Sequence, residues 1–232
     1  MTALTHPQIP LSLPLRESST LSTFVPGDNK GLLASLRQQV KSGGQLYLWG
    51  ETGAGRSHLL EGAVREVLQA GGSACLLSAS EMLATHVALL ESLEQMQLIA
   101  IDDINLLAGR KDWEEALFHL YNRVTAQSGA LLFSSNAPPS TAGFNLPDLS
   151  SRLAAGPVFQ IQPLDDAARA QLLVQRAAGR GLELGEEVAR YIVMRAPRSN
   201  AALMTCLDQL DQGALIHKRR PTLPFIKELL GW

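Results

Sequence analysis

Short apolar runs alternate with stretches whose apolar residues recur every three or four positions, and this alternation organises about two thirds of the chain. "QLYLWG", "SACLLSAS", "QLIAID", "GALLFSSN" and "GPVFQIQP" read as buried strands. Between them lie helical patterns. The first carries Leu32, Leu33, Leu36 and Val40 on one face, is expected to be capped by Asp28 or Asn29, and ends at Gly43-Gly44. "SHLLEGAVREVLQAGG", a segment from about Glu81 to Gln95, "DWEEALFHLYNRVTAQ" and "LPDLSSRL" follow. Strands alternating with helices predict an α/β fold, a parallel sheet with helices on both faces. From Leu164 onward the strands cease, and four successive helical patterns predict a small α-helical domain. The expected divisions are a peptide over 1–20, an α/β domain over 21–163 and a helical domain over 164–232.

The opening phrase "HPQIPLSLPLRESST" fits neither pattern well. Leu11, Leu13 and Leu15 alternate with Ser12 and Pro14, as in a half-buried edge strand. Pro10 and Pro14, however, lack the amide hydrogen a ladder needs. The second reading is an extended peptide that docks on another protein, with alternate side chains entering apolar pockets.

The 232 residues are 46% hydrophobic, enough for a sizeable core, and the formal charge is −2. No global basic field attracts nucleic acid, so direct DNA binding is not expected. His217-Lys218-Arg219-Arg220 is either a solvated helix end or a small phosphate contact. Cys75 and Cys206 lie far apart in apolar surroundings, as buried hydrophobes in a reducing compartment do. The first 25 residues contain no continuous apolar core of a signal sequence, and no apolar run is long enough to span a bilayer. A cytoplasmic protein without a membrane partner is expected.

The chemistry lies in "GETGAGRSH", Gly50 to His58. The spacing Gly50-x-x-x-x-Gly55-x-Ser57 between a strand and a helix is that of a P-loop. Thr52, Gly53, Ala54, Gly55, Arg56, Ser57 and His58 would wrap their backbone around phosphates, and the Ser57 hydroxyl would ligate Mg²⁺. Arg56 stands where lysine is usual. Its planar guanidinium keeps the charge without an ammonium's compactness, which favours binding over hydrolysis. "LIAIDDIN" then delivers Asp102, for the metal, and Asp103, to orient or deprotonate an attacking water. Asn136, at the end of the next strand, is either a γ-phosphate sensor or part of a polar turn. Arg152, in "LPDLSSRL", either pairs with Asp148 at i, i+4 or acts as a finger in a neighbour's nucleotide site.

Together these pieces resemble an AAA+ module, and within that family the DnaA and Hda group. "TFVPGDN", "LYLWGETGAGRSHLL", "IDDIN", "LFHLYNRV", "LPDLSSRL", "LDQL" and "LPFIKELL" carry the resemblance through nearly the whole chain. The resemblance implies bound ADP or ATP with Mg²⁺, and places Val25 and Pro26 in the segment that packs against the base. It makes the helical domain a lid. "LSLPL" is similar to the peptide by which Hda proteins bind the DNA polymerase III sliding clamp (beta subunit), through Gln8, Leu11, Leu13 and Leu15.

The implied function is negative regulation of replication initiation. Attached to DNA-loaded clamp, the protein would present Arg152 to ATP held by DnaA and stimulate its hydrolysis, with weak or no ATPase activity of its own. A homo-oligomer is expected, and no counterpart of the initiator's DNA-binding domain. Three positions depart from the pattern. Pro10 replaces the first glutamine of the clamp peptide, with Gln8 two residues earlier. Arg56 replaces the P-loop lysine. Ala201 or Ala202 occupies the position of the lid's sensor arginine, with Arg198 one helical turn before it. The alternative reading is a self-contained AAA+ ATPase or helicase loader.

Overall fold

The computed structural model describes residues 19–232. Gln8, Leu11, Leu13 and Leu15, the expected clamp contacts, lie outside the described residues.

Five parallel strands, β1 (Gly44–Trp49), β2 (Ala74–Ser78), β3 (Leu98–Asp102), β4 (Ala130–Ser135) and β5 (Val158–Gln160), form one sheet in the order β2-β3-β4-β1-β5. Alternation within each apolar run divides the side chains between two cores, because successive residues face opposite sides. Leu46, Leu48, Leu98, Ala100 and Leu132 pack with Leu36 of α1 (Lys30–Ser42) and with Leu59, Leu60 and Val64 of α2 (Arg56–Gln69). Tyr47, Ile99, Ile101, Leu131 and Phe133 pack on the other face with Leu117, Leu120 and Val124 of α4 (Lys111–Ala126) and with Leu149 and Leu153 of α5 (Pro147–Ala155). Both faces of the sheet are covered, as a parallel sheet requires. Burial pushes the Cys75 thiol up to about 12 and also raises Cys206, so these free cysteines behave as hydrophobes.

A third core lies beyond the sheet. α6 (Asp166–Ala178), α7 (Glu186–Arg195), α8 (Asn200–His217) and α9 (Leu223–Leu230) pack around Leu173, Ile192, Leu203, Leu207, Leu210 and Ile226. The Asp165 carboxylate caps α6 by accepting from Ala168 N at 2.7 Å, and the Ser199 hydroxyl caps α8 by accepting from Ala202 N at 3.1 Å. The basic cluster begins at the end of α8, where Arg219 pairs with Glu228 at 2.9 Å and Arg220 with Glu183 at 3.8 Å. Among the described residues, no helix is long and apolar enough to cross a membrane.

Two local expectations are corrected. The helix expected over Glu81–Gln95 is broken into α3 (Ala79–Met82) and two 3-10 turns, Val87–Leu90 and Leu93–Gln95, with Ser92 left-handed at φ 63° between them. Arg123 of α4 holds the second interruption: it donates to Leu90 O at 2.8 Å, consuming a carbonyl a helix would need, and pairs with Glu94 at 3.0 Å. Asn29 stands at the N-cap of α1, but its side chain caps nothing there. It is 3% exposed, donates to Pro26 O and Gln162 O, both at 3.0 Å, and accepts from Gln162 N at 2.7 Å. It thus ties the segment before α1 to the chain leaving β5.

Asn29→Ala strands the Gln162 amide and carbonyl and is expected to lower unfolding free energy by about 2–3 kcal/mol, read as a shift in the urea midpoint. A shift worth less than about 0.5 kcal/mol would mean that water replaces the amide.

Candidate nucleotide-binding site

The loop between β1 and α2 takes its shape from two glycines in left-handed conformation, Gly53 at φ 82° and Gly55 at φ 101°. Gly55 is also the N-cap of α2, so the first amides of a 14-residue helix open into the loop. A Cβ on Gly55 would lie 2.9 Å from the Phe24 ring, so glycine also lets the N-terminal segment close over the loop. Val25 and the run Thr52–His58 line one cleft of about 1180 Å³, which Asp103 also borders. Across it stand Gln175, Arg176 and Asn200 from the helical part.

The acidic element is braced from the neighbouring strand. Ser134, fully buried on β4, donates its hydroxyl to Asp102 Oδ1 and accepts from Asp103 N at 2.9 Å. Asp103 itself is left-handed at φ 54°, and its side chain turns toward the P-loop. There its Oδ1 forms an ion pair with the buried Arg56 Nη1 at 2.7 Å. Burial raises the Asp103 carboxyl above its ordinary range, the Arg56 guanidinium counteracts this, and Asp102 adds to the rise. The pair sets a positive group from the phosphate loop against the acid expected to handle water.

His58 joins three parts of the molecule. Its Nε2 donates to Thr20 O at 2.9 Å and lies 3.3 Å from Thr23 Oγ1, while Nδ1 accepts from Arg176 Nη2 of α6 at 2.9 Å. The Phe24 ring stands 5.9 Å away, centroid to centroid. Burial depresses the imidazole pKa to about 4; the Thr20 carbonyl opposes this and the Arg176 charge reinforces it. The helical part touches the loop directly as well, since Asn200 Nδ2 donates to Gly53 O at 3.2 Å.

Not every expected residue joins the cleft. Gly50 is packed beneath it against Ile161 and Ala54, and Pro26 serves as a backbone acceptor for Asn29. Asp102 is turned into Ser134. Asn136 is exposed at the tip of β4, its amide donating to Asn105 Oδ1 at 3.2 Å. Arg198 is exposed and lies off the cleft. Ala201, one of the two alanines at the position of the family's sensor arginine, stands within 4 Å of where a Gly53 Cβ would be. Arg152 is exposed on α5, away from the cleft, 5.8 Å from the Tyr121 ring. The alternative pairing with Asp148 is not formed, and no ion pair involves Arg152 among the described residues.

Ser134, Arg176, Asn200 and the bonded role of His58 escaped sequence reasoning. The motif spacing includes His58 and the strand end includes Ser134, but nothing local signals what either touches.

A P-loop after β1, paired acids after β3 and a helical lid across the cleft define an AAA+ module. The chain belongs to the bacterial DnaA ATPase domain family, whose model matches residues 15–160, and the lid domain of Hda matches residues 166–230. It is thus an Hda-like, DnaA-homologous AAA+ protein, a DnaA-related replication regulator. Solved structures share the fold at low identity. Domain III of the Thermotoga maritima replication initiation protein DnaA superposes with a TM-score of 0.84 at 21% identity, covering 94% of this chain and 98% of that one. AMPPCP-bound DnaA from Aquifex aeolicus gives 0.73 at 20%, over 84% and 66%. The Thermotoga maritima RuvB Holliday junction branch migration motor gives 0.71 at 18%, over 92% and 71%.

The His58 environment predicts an acid sensitivity. With its pKa depressed to about 4 in the folded state, the folded protein binds fewer protons than the unfolded chain between there and the ordinary value of 6.5. Stability is therefore full above about pH 6.5 and falls as pH drops toward 4, by at most about 3 kcal/mol. Urea midpoints at pH 7 and 4.5 should diverge less in His58→Gln than in wild type; equal divergence would assign the loss to other groups.

Proposed function

We propose that the protein binds an adenine nucleotide, as ADP in its working state, and regulates initiation negatively by stimulating hydrolysis of ATP bound to DnaA. Held on the DNA-loaded sliding clamp through Gln8, Leu11, Leu13 and Leu15, it presents Arg152 as an arginine finger in trans. Arg152 carries this reading: it is exposed, on a helix outside the protein's own cleft, and bound to no carboxylate among the described residues.

The residues of the cleft fit a nucleotide. The left-handed glycines open the amides of α2, and the Arg56 guanidinium places a positive charge in the cleft's lining. A hydroxyl on Ser57 and a carboxylate on Asp102 are hard oxygen donors suited to Mg²⁺ beside phosphate. Val25 and Phe24 would cover the base, and Asn200 holds the lid to the loop. Asp103 is the group that would activate water, but Arg56 stands against it, so binding with little turnover is the expected behaviour. In a homo-oligomer, paired clamp peptides would hold the ring more firmly than one, because the second contact is intramolecular.

The test mixes the protein with clamp loaded on DNA and ATP-loaded DnaA. Wild type should accelerate hydrolysis, and Arg152→Ala should lose this by about 10³-fold or more. Equal acceleration by the variant would overturn the reading. Incubated alone with ATP, the protein should turn over slowly, with little change in Asp103→Asn. Fast turnover abolished by that substitution would instead favour the self-contained ATPase.

A further inference from the structure

The helix bearing Arg152 is gripped at both ends by two buried polar side chains that no part of the nucleotide cleft needs. At its start, Glu114 of α4, 1% exposed, accepts from Leu146 N at 2.6 Å and from Asn145 N at 3.0 and 3.1 Å. The same carboxylate accepts from Gly109 N at 2.6 Å, so it joins the loop before α4 to the loop before α5. Leu146 is the N-cap residue of α5. One buried acid therefore sets the axial position and entry angle of that helix.

At the other end, Gln45 of β1, 6% exposed, donates Nε2 to Arg152 O at 2.7 Å and to Leu153 O at 3.0 Å. Its Oε1 is buried with no partner. An orphaned acceptor in the interior is unfavourable and calls for a reason. Turning the amide over would set that oxygen against two carbonyls, so the observed orientation keeps both last-turn carbonyls satisfied and leaves Oε1 stranded. Gly156 makes the approach possible: a Cβ there would lie 2.4 Å from Gln45 Cγ and 2.9 Å from Gln45 O. Leu149 and Leu153 already anchor the helix in the core, so the polar pair is not needed to bury it. What the pair adds is a fixed rotation and height at the residue whose carbonyl it holds, Arg152.

We propose that Gln45 and Glu114 are positioning residues for Arg152: they lock α5 so that its guanidinium is preorganised to enter a nucleotide site on a partner. This rests on the trans-acting role proposed above. A finger gains its effect from geometry, and a displacement of about 1 Å can lower a rate on the order of a hundredfold.

The test measures stimulated hydrolysis of DnaA-bound ATP against regulator concentration, with clamp on DNA, for wild type, Gln45→Met, Glu114→Gln and Arg152→Ala. The ADP-binding stoichiometry of each sample counts folded molecules. Gln45→Met and Glu114→Gln should lower the maximal rate per folded molecule about 10- to 100-fold, leaving half-saturating concentration and ADP affinity within about twofold of wild type. A purely structural role would lower the folded fraction without changing the rate per folded molecule, and that result overturns the proposal. So does a loss confined to half-saturation, which would place the residues in docking. Should one variant fail to fold, the other, at the opposite end of the helix, gives the same reading. Unimpaired stimulation by Arg152→Ala would remove the trans-acting role itself; impairment there with normal rates in the other two removes only the positioning role.

Discussion

The parallel pairing of β1 with β4 is the constraint on which the site depends. Its register sets Trp49 opposite Ser135, and Gly50 N donates to Ser135 O at 3.2 Å, so the P-loop leaves the sheet beside the end of β4. β4 also pairs with β3, and Ser134 reaches from one to the aspartates of the other. Parallel strands deliver their carboxyl ends to one edge, where the phosphate loop and the acids meet. A one-residue slip of β4 would turn Leu131, Leu132 and Phe133 to the opposite cores and remove Ser134 from Asp102 and Asp103 together. Core packing and site geometry are therefore one specification.

Much of this was legible in the chain because it is written locally. The continuous apolar runs in "QLYLWG" and "QLIAID" mark strands buried on two faces, and the glycine spacing marks the loop because only glycine readily takes the conformation at Gly53 and Gly55. The unread features are those made by distant partners. Arg176 lies 118 positions from His58 and Gln162 lies 133 from Asn29. Glu81–Gln95 has acceptable helix propensity, yet Arg123 takes the Leu90 carbonyl and Ser92 turns left-handed, so tertiary bonding overrides the local preference. Arg152 and Asp148 have ideal spacing for a pair that does not form, a reminder that exposed i, i+4 pairs contribute only a few tenths of a kcal/mol.

Two arginines show how environment assigns roles to one functional group. Arg56, its side chain 11% exposed, faces inward against Asp103 and is a fixed positive charge within the loop. Arg152 faces outward, with its carbonyl held by Gln45 and its guanidinium near Tyr121. The first arrangement opposes the freeing of the Asp103 carboxylate; the second leaves a planar, multiply donating cation at the surface. Under the proposed function, hydrolysis moves from the protein's own site to its partner's, and the two settings serve opposite ends of that division.

A nucleotide that is bound but not consumed would then act as a structural ligand. The cleft is lined by the N-terminal segment through Phe24 and Val25, by the P-loop, and by the lid through Arg176 and Asn200. His58 already bonds the first of these to the third. A ligand filling the cleft adds linkage free energy to the folded arrangement, about 4 kcal/mol at a thousand times its dissociation constant. Turnover would make that contribution fluctuate as triphosphate became diphosphate and left. With Asp103 opposed by Arg56, the contribution would under the proposed function stay constant, and the scaffold that carries α5 would keep one geometry through repeated encounters with partner molecules.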